Sequence, residues 1–277
     1  LNEANQATNQ KLRRSIEVIT MRQLHVDPNH HLESVAAFPL RPDQITRAND
    51  ILCGLDLTPN MYVAFQDKDL AYRRKMVSPG AVNSKLRRYD YYRNTSISRF
   101  RTAVDLLAER DLIAVRMGRD PERPSELPNS IDYASIKDRD DGFGDLALAS
   151  SCKFYLGPNS GIWLLLRVFN KPVCLINTFP WPWESFPMRV DSLVMPKKLW
   201  HTLDKRFLTI YEMIDMETHT SWKKMYRDSF FTELSIEPVE NSEDEIAEAA
   251  KEINLRLDGA WCGSTYPVSE FLGPENV

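Results

Sequence analysis

The stretch KFYLGPNSGIWLLLRVFNKPVCLI, residues 153–176, carries the pattern that decides the fold. Its first residues predict a short buried strand, which ends at a glycine and a proline. The pair Ser160-Gly161 then opens a very apolar helix over 162–169, and a second strand follows over 171–176. Two strands joined by a helix pair in parallel through a right-handed crossover. This unit therefore predicts one step of a parallel α/β sheet.

The same alternation of strands and helices extends on both sides of this stretch. The other predicted strands are 61–65, 112–117 and 131–133, and the other predicted helices are 1–24, 43–55, 97–107, 145–150 and 242–257. This order predicts a Rossmann-like parallel sheet with helices on both faces. We expect residues 59–277 to form that domain and residues 1–58 to form a helical and irregular N-terminal segment.

The composition of the 277 residues argues against several classes of function. A net charge of −4 and a pI near 5.8 do not provide the basic surface that a nucleic-acid partner requires. No apolar run is long enough to cross a bilayer, and the four cysteines lack metal-ligand spacing. We therefore expect a cytoplasmic protein with no transmembrane segment, no nucleic-acid partner and no metal site. The oligomeric state is not determined by the sequence.

Polar and charged side chains follow most of the predicted strands. In an open parallel sheet, ligands bind outside the carboxyl ends of the strands, so these side chains are candidates for one binding site. Arg93, which precedes a helix, is a further candidate, although for Arg93 taken alone a surface position is the simpler interpretation. The candidates at the strand ends are Lys68, Asp69, Arg116, Asp132, Asn159, Ser160 and Gly161.

The turn over 157–161 has the features of a phosphate site. A helix N-terminus offers N–H groups and the positive end of the helix dipole, and Gly161 lets a ligand approach the backbone closely. Ser160 and Asn159 can donate further hydrogen bonds. An ordinary capped strand-to-helix turn explains the same residues. The turn is neither a Walker loop nor a G-x-G-x-x-G dinucleotide motif.

Arg116 is the second indication of an anion site. An arginine late in an apolar strand is costly to bury without an anionic partner. That partner is either a bound diphosphate or a structural carboxylate such as Asp132 or Asp145. The sequence leaves both interpretations of Arg116 open.

These motifs, taken in order, resemble a family of bacterial glycosyltransferases that is distantly similar to fucosyltransferases. The resemblance covers about residues 60 to 215. It implies the nucleotide-sugar-binding half of a GT-B fold, and it makes 1–58 a candidate remnant of the acceptor-side domain. The motifs are YYRN at 91–94, VRMG at 115–118, IDYA at 131–134, CKFYLG at 152–157, SG at 160–161, PKKLW at 196–200 and RFLT at 206–209.

The resemblance also implies roles for the candidate residues. Arg93, Arg116 and the helix start at 160–161 would hold the diphosphate of a nucleotide sugar, and Asp132 would lie near the base or ribose. Transferases of this kind generally need neither a divalent metal nor a cofactor, because cations and the helix dipole stabilise the departing diphosphate. The substrates implied are a nucleotide-diphosphate sugar and a glycan or other hydroxyl acceptor.

One departure from the family pattern affects the predicted catalytic residue. The family shows His-Val-Arg-Asp after the first strand, whereas this sequence has Gln-Asp-Lys-Asp at 66–69. Lys68 keeps the positive charge but loses the bidentate geometry of arginine. Without the histidine, either Asp67 or Asp69 acts as the base or this member is catalytically weakened, and we assign the role to Asp69. The alternatives are a non-catalytic nucleotide- or glycan-binding module within a larger assembly and a nucleotide-dependent enzyme of another kind.

Overall fold

Five of six parallel strands lie where the strand and helix alternation predicts them. The computed structural model describes residues 39–76, 88–136, 142–179, 189, 191–220, 222–225, 227 and 229–263. The parallel strands are β1 (Tyr62–Phe65), β2 (Ile113–Arg116), β3 (Ser130–Ile131), β4 (Tyr155–Gly157), β5 (Val173–Thr178) and β6 (Leu193–Pro196). Their order across the sheet is β3-β2-β1-β4-β5-β6, as in a Rossmann-like sheet. The predicted α/β fold is confirmed.

The strand order places a crevice at the neighbouring strands β1 and β4. From β1 the chain proceeds outward through β2 and β3, and from β4 it proceeds in the other direction through β5 and β6. The connections on the two sides therefore diverge beyond the carboxyl ends of β1 and β4, which leaves room for a ligand. Residues 66–69 and 158–161 follow these two strands directly.

Helices cover both faces of the sheet. Their bounds are α1 (Pro42–Gly54), α2 (Ala71–Met76), α3 (Arg88–Tyr92), α4 (Arg101–Ala108), α5 (Phe143–Ser151), α6 (Gly161–Val168), α7 (Ile210–His219), α8 (Trp222–Met225), α9 (Phe230–Glu233) and α10 (Glu243–Leu257). Side chains alternate between the faces of a strand. Val63 and Phe65 therefore pack with α4 and α10 on one face. Tyr62 and Ala64 pack with α5 and α6 on the other.

A second sheet, which the apolar pattern of the sequence does not predict, follows the parallel one. It is antiparallel, with strands β7 (Lys198–His201), β8 (Arg206–Phe207) and β9 (Ile236–Val239) in the order β8-β7-β9. Only Lys197 separates β6 from β7. The short strands lack the continuous apolar runs that indicated the buried strands, because they lie outside the main core.

Helix α1 packs against the sheet domain, although its position in the sequence predicts that it belongs to the N-terminal segment. Ala48 is buried against Phe143 and Ala147 of α5, and Leu52 belongs to the core of that face. The described residues belong to one unit of the chain, Ala36–Val277. The predicted helix over 1–24 lies outside the described residues, and the division at 58/59 stays a prediction. None of the described helices has the length and apolar character needed to cross a membrane.

Candidate functional site

A cleft of about 460 Å³ opens at the carboxyl ends of β1, β2 and β4. Its walls carry both positively and negatively charged side chains, which suits a ligand that combines anionic and hydroxyl groups. The lining residues are Gln66, Asp67, Lys68, Asp69, Leu70, Tyr72, Asp90, Arg93, Met117, Gly118, Arg119, Pro121, Ala134, Asp145, Ser160, Gly161 and Ile162.

The N-terminus of α6 faces this cleft. The hydroxyl of Ser160 accepts a hydrogen bond from the Ile162 N–H at 3.3 Å, which caps the helix. The same hydroxyl lies in contact with the side-chain oxygen of Gln66, at the end of β1. Gly161 has open space where a side chain would project. A ligand in the cleft can therefore approach the backbone of the first helical turn.

Two cationic side chains converge beside this helix start. The Lys68 ammonium and the Arg93 guanidinium each donate to the main-chain oxygen of Asn159, and both distances are 3.1 Å. The two positively charged side chains therefore lie at the end of the cleft where the helix dipole is also positive.

Backbone pairing sets the distance between these two cations. The Lys68 N–H donates to the Thr95 oxygen at 3.1 Å, and the Thr95 N–H donates to the Lys68 oxygen at 2.9 Å. This isolated antiparallel bridge ties the segment after β1 to the segment after α3. Asn159 is buried, and its side-chain amide donates to the main-chain oxygen of Phe179 and accepts from the Phe179 N–H. The shared acceptor is thus fixed by the core.

Arg116 has a different environment from the one that the resemblance implies. Its side chain is 1% exposed, and it donates through Nε and Nη2 to both oxygens of Asp67 at 2.8 Å. Its Nη1 lies 3.3 Å from Asp132 and 3.1 Å from the oxygen of Arg123. The structure thus favours the structural-carboxylate interpretation, with Asp67 as the principal partner. Arg116 and Asp132 lie beneath the cleft and do not line it.

Burial and charge act in opposite directions on this ion pair. Burial raises the pKa of the Asp67 carboxyl, and the contact with Arg116 opposes that rise. Burial lowers the pKa of Arg116, but its contacts with Asp67 and Asp132 outweigh that effect, so the pKa is raised overall. Arg116 thus remains charged, and its main role is to compensate the negative charge of Asp67 in the wall of the cleft.

Asp69 lines the cleft but already accepts two backbone hydrogen bonds. Its Oδ1 accepts the Ala71 N–H at 2.8 Å, at the start of α2, and its Oδ2 accepts the Glu122 N–H at 2.7 Å. Each carboxylate oxygen has a second lone pair, so an acceptor hydroxyl can still bind there. Asp69 therefore combines a structural position with access to the cleft.

The structure adds carboxylates that sequence reasoning did not assign to the site. Asp90 on α3 and Asp145 on α5 both line the cleft. Their helices reach the cleft only through tertiary packing, because neither residue follows a strand of the sheet. Asp90 lies three residues before Arg93, which directly follows α3, and the Arg93 N–H donates to the Asp90 main-chain oxygen at 3.3 Å. This short spacing is the signal in the sequence that places Asp90 near the cation.

Gly157 is required by the close approach of β4 to β1. A Cβ atom there would lie 2.7 Å from the main-chain oxygen of Gln66 and 2.6 Å from the Tyr155 hydroxyl. We expect Gly157→Ala to lower the free energy of unfolding by about 1–3 kcal/mol, because the backbone oxygen must move. Urea unfolding followed by circular dichroism measures this change.

Gly161→Ala is the matched control for Gly157→Ala. No atom lies within 4 Å of the Cβ that the substitution adds. We expect its stability to stay within about 0.5 kcal/mol of wild type. Equal losses in the two variants would contradict the steric explanation.

Comparisons with known proteins give one distant structural likeness. The glycosyl transferase family 9 protein of Veillonella parvula DSM 2008 is similar in structure, with a TM-score of 0.46 and 12% sequence identity. The alignment covers 79% of this chain and 54% of that chain, so this chain spans about half the length of the matched protein. No protein-family model matches the sequence, and no curated protein matches it.

Proposed function

We propose that this chain is the donor-binding part of a metal-independent glycosyltransferase of the GT-B type. It would transfer a sugar from a nucleotide-diphosphate donor to a glycan or another hydroxyl acceptor. The observation that carries the proposal is the convergence of Lys68 and Arg93 at the Asn159 oxygen, beside the N-terminus of α6. These groups can together bind a diphosphate.

The same groups account for the chemistry without a metal ion. When the bond between the sugar and the diphosphate breaks, negative charge develops on the departing diphosphate. The Lys68 ammonium, the Arg93 guanidinium and the N–H groups of α6 would stabilise that charge. The acceptor hydroxyl would attack the anomeric carbon and transfer its proton to the Asp69 carboxylate.

The proposal is tested by the binding of nucleoside diphosphates. We expect one of UDP, GDP, ADP or CDP to raise the melting temperature of wild type, because a ligand that binds the folded state stabilises it. Lys68→Gln and Arg93→Gln should each weaken that binding by about tenfold to a hundredfold in calorimetric titrations. Absence of binding by all four nucleotides would contradict the proposal.

Arg99→Gln provides the matched control. Arg99 is exposed on the short 3-10 helix Ile97–Phe100 and does not line the cleft. Its loss removes the same charge from a nearby surface, so we expect an affinity within about twofold of wild type. A loss equal to that of Arg93→Gln would mean that net charge, rather than the cleft, determines binding.

A non-catalytic nucleotide-binding module is the second candidate. It is favoured by the two backbone hydrogen bonds that already occupy the Asp69 carboxylate. Such a module would bind the donor without hydrolysing it or transferring the sugar. Donor turnover by wild type therefore separates the two candidates.

A further inference from the structure

A buried lysine outside the cleft contacts the segment that carries Arg93. The Lys197 side chain is 4% exposed, and its Nζ donates to the main-chain oxygen of Asn94 at 2.6 Å. Asn94 directly follows Arg93 and precedes Thr95, which pairs with Lys68. Lys197 therefore touches the short connection between the two cations of the proposed donor site.

The backbone of Lys197 is held firmly from both sides. Its N–H donates to the Thr178 oxygen at 3.1 Å, at the end of β5. The preceding residue, Pro196, accepts the Asn241 side-chain amide at 3.0 Å. Asn241 and Asn177 also exchange hydrogen bonds between side chain and backbone at 2.6 and 2.8 Å. The ammonium thus extends from a rigid part of the main sheet.

The 93–96 segment depends on contacts to its backbone. Within the described part of the chain, Asn94 Oδ1 and Thr95 Oγ1 are buried and make no hydrogen bond. The Asn94 oxygen accepts from Lys197, and the Ser96 N–H donates to Glu240 at 3.1 Å. Lys197 and Glu240, which lie 3.9 Å apart and do not line the cleft, therefore both hold the backbone of the segment.

The position of this ammonium is energetically costly. Burial lowers the pKa of Lys197 to about 8, and the nearby Glu240 opposes that shift. A methionine could fill a similar volume without the cost of desolvating a charge. What the charge provides here is a strong hydrogen bond to one backbone oxygen.

We infer that Lys197 is a positioning residue, which fixes the 93–96 segment and thereby holds the Arg93 guanidinium beside Lys68 at the cleft. This inference rests on the proposed function where it concerns the ligand. Lys197 does not line the cleft, so it acts through the Asn94 oxygen.

The first test measures the segment itself and requires no ligand. We expect Lys197→Met to speed hydrogen exchange of the Thr95 and Lys68 amides by about tenfold, because a charged hydrogen bond to the segment is lost. Lys198→Met is the control, since the half-exposed Lys198 pairs with Glu245 on α10. Its exchange at the same amides should stay within about twofold of wild type. Unchanged exchange in Lys197→Met would overturn the inference.

The second test uses inorganic pyrophosphate as the probe. Lys197→Met should weaken its binding by about tenfold, and Lys197→Arg should restore most of the affinity because it keeps a cationic donor. A purely structural role would lower the melting temperature of Lys197→Met and leave its affinity unchanged at low temperature. That result would refute the positioning role. If wild type binds neither pyrophosphate nor any of the four nucleoside diphosphates, the proposed function fails, and the exchange result alone decides whether Lys197 holds the segment.

Glu240→Gln provides a second variant should Lys197→Met fail to fold. It keeps the shape of the side chain and weakens the hydrogen bond that the Ser96 N–H donates to residue 240. We expect a smaller acceleration, about threefold, at the Thr95 amide. No acceleration would count against the inference.

Discussion

Replacing Arg116 with methionine is expected to lower the free energy of unfolding by about 3–5 kcal/mol. The substitution leaves the Asp67 carboxylate, which is 9% exposed, without the guanidinium that binds both of its oxygens. A buried charge without compensation is far more costly than the loss of the attraction alone. Chemical unfolding at pH 7, followed by circular dichroism, measures the loss.

Two variants separate this effect from a general loss of charge. Arg74→Met breaks an exposed ion pair with Glu122, at 3.4 Å, and should cost less than about 1 kcal/mol. Adding Asp67→Asn to Arg116→Met removes the uncompensated carboxylate and should recover a large part of the loss. If Arg74→Met costs as much as Arg116→Met, burial is not the cause.

Replacing Asp69 with asparagine is expected to slow turnover by about 10²–10⁴-fold. Asparagine keeps an acceptor for the Ala71 N–H but cannot take a proton from an acceptor hydroxyl. The measurement is hydrolysis of the nucleotide sugar that binds most tightly, with water as the acceptor. Donor affinity should change much less than the rate, because Asp69 acts in the transition state.

Glu245→Gln is the control for Asp69→Asn. Glu245 also accepts a backbone N–H, from Ser242 at 2.7 Å, but it lies at the start of α10, away from the cleft. It should leave the hydrolysis rate within about twofold of wild type, while its stability falls by about 1 kcal/mol. A normal rate in Asp69→Asn would show that Asp69 is only a helix cap and would favour the binding-module candidate.

The sequence predicts the main sheet because strand and helix formation depend on local patterns. The apolar runs at 61–65 and 171–176 and the turn at 157–161 each carry their signal within a few residues. The same reasoning places Lys68 and Ser160 at one edge, since β1 and β4 are parallel and end together. It misses β6, whose apolar run Leu193–Pro196 is only four residues long, and it misses the antiparallel sheet, whose short strands show no continuous apolar run.

Local sequence patterns do not predict which partner each charged side chain binds. The sequence leaves Arg116 between a diphosphate and a carboxylate, and only the packed structure shows Asp67 bound to it. Asp90 and Asp145 were not assigned to the site, because the helices that carry them reach the cleft by packing rather than by following a strand.

By itself, the amino-acid sequence determined the order of strands and helices and the edge of the sheet where polar residues gather. Only the tertiary structure decided which charges meet, such as Lys197 with the Asn94 oxygen, which lie 103 residues apart in the chain. The physical reason is the distance along the chain over which each signal acts. Hydrophobic periodicity and turn residues act between residues that are close in sequence. The partner of a buried charge is instead chosen by burial and distance in the folded state.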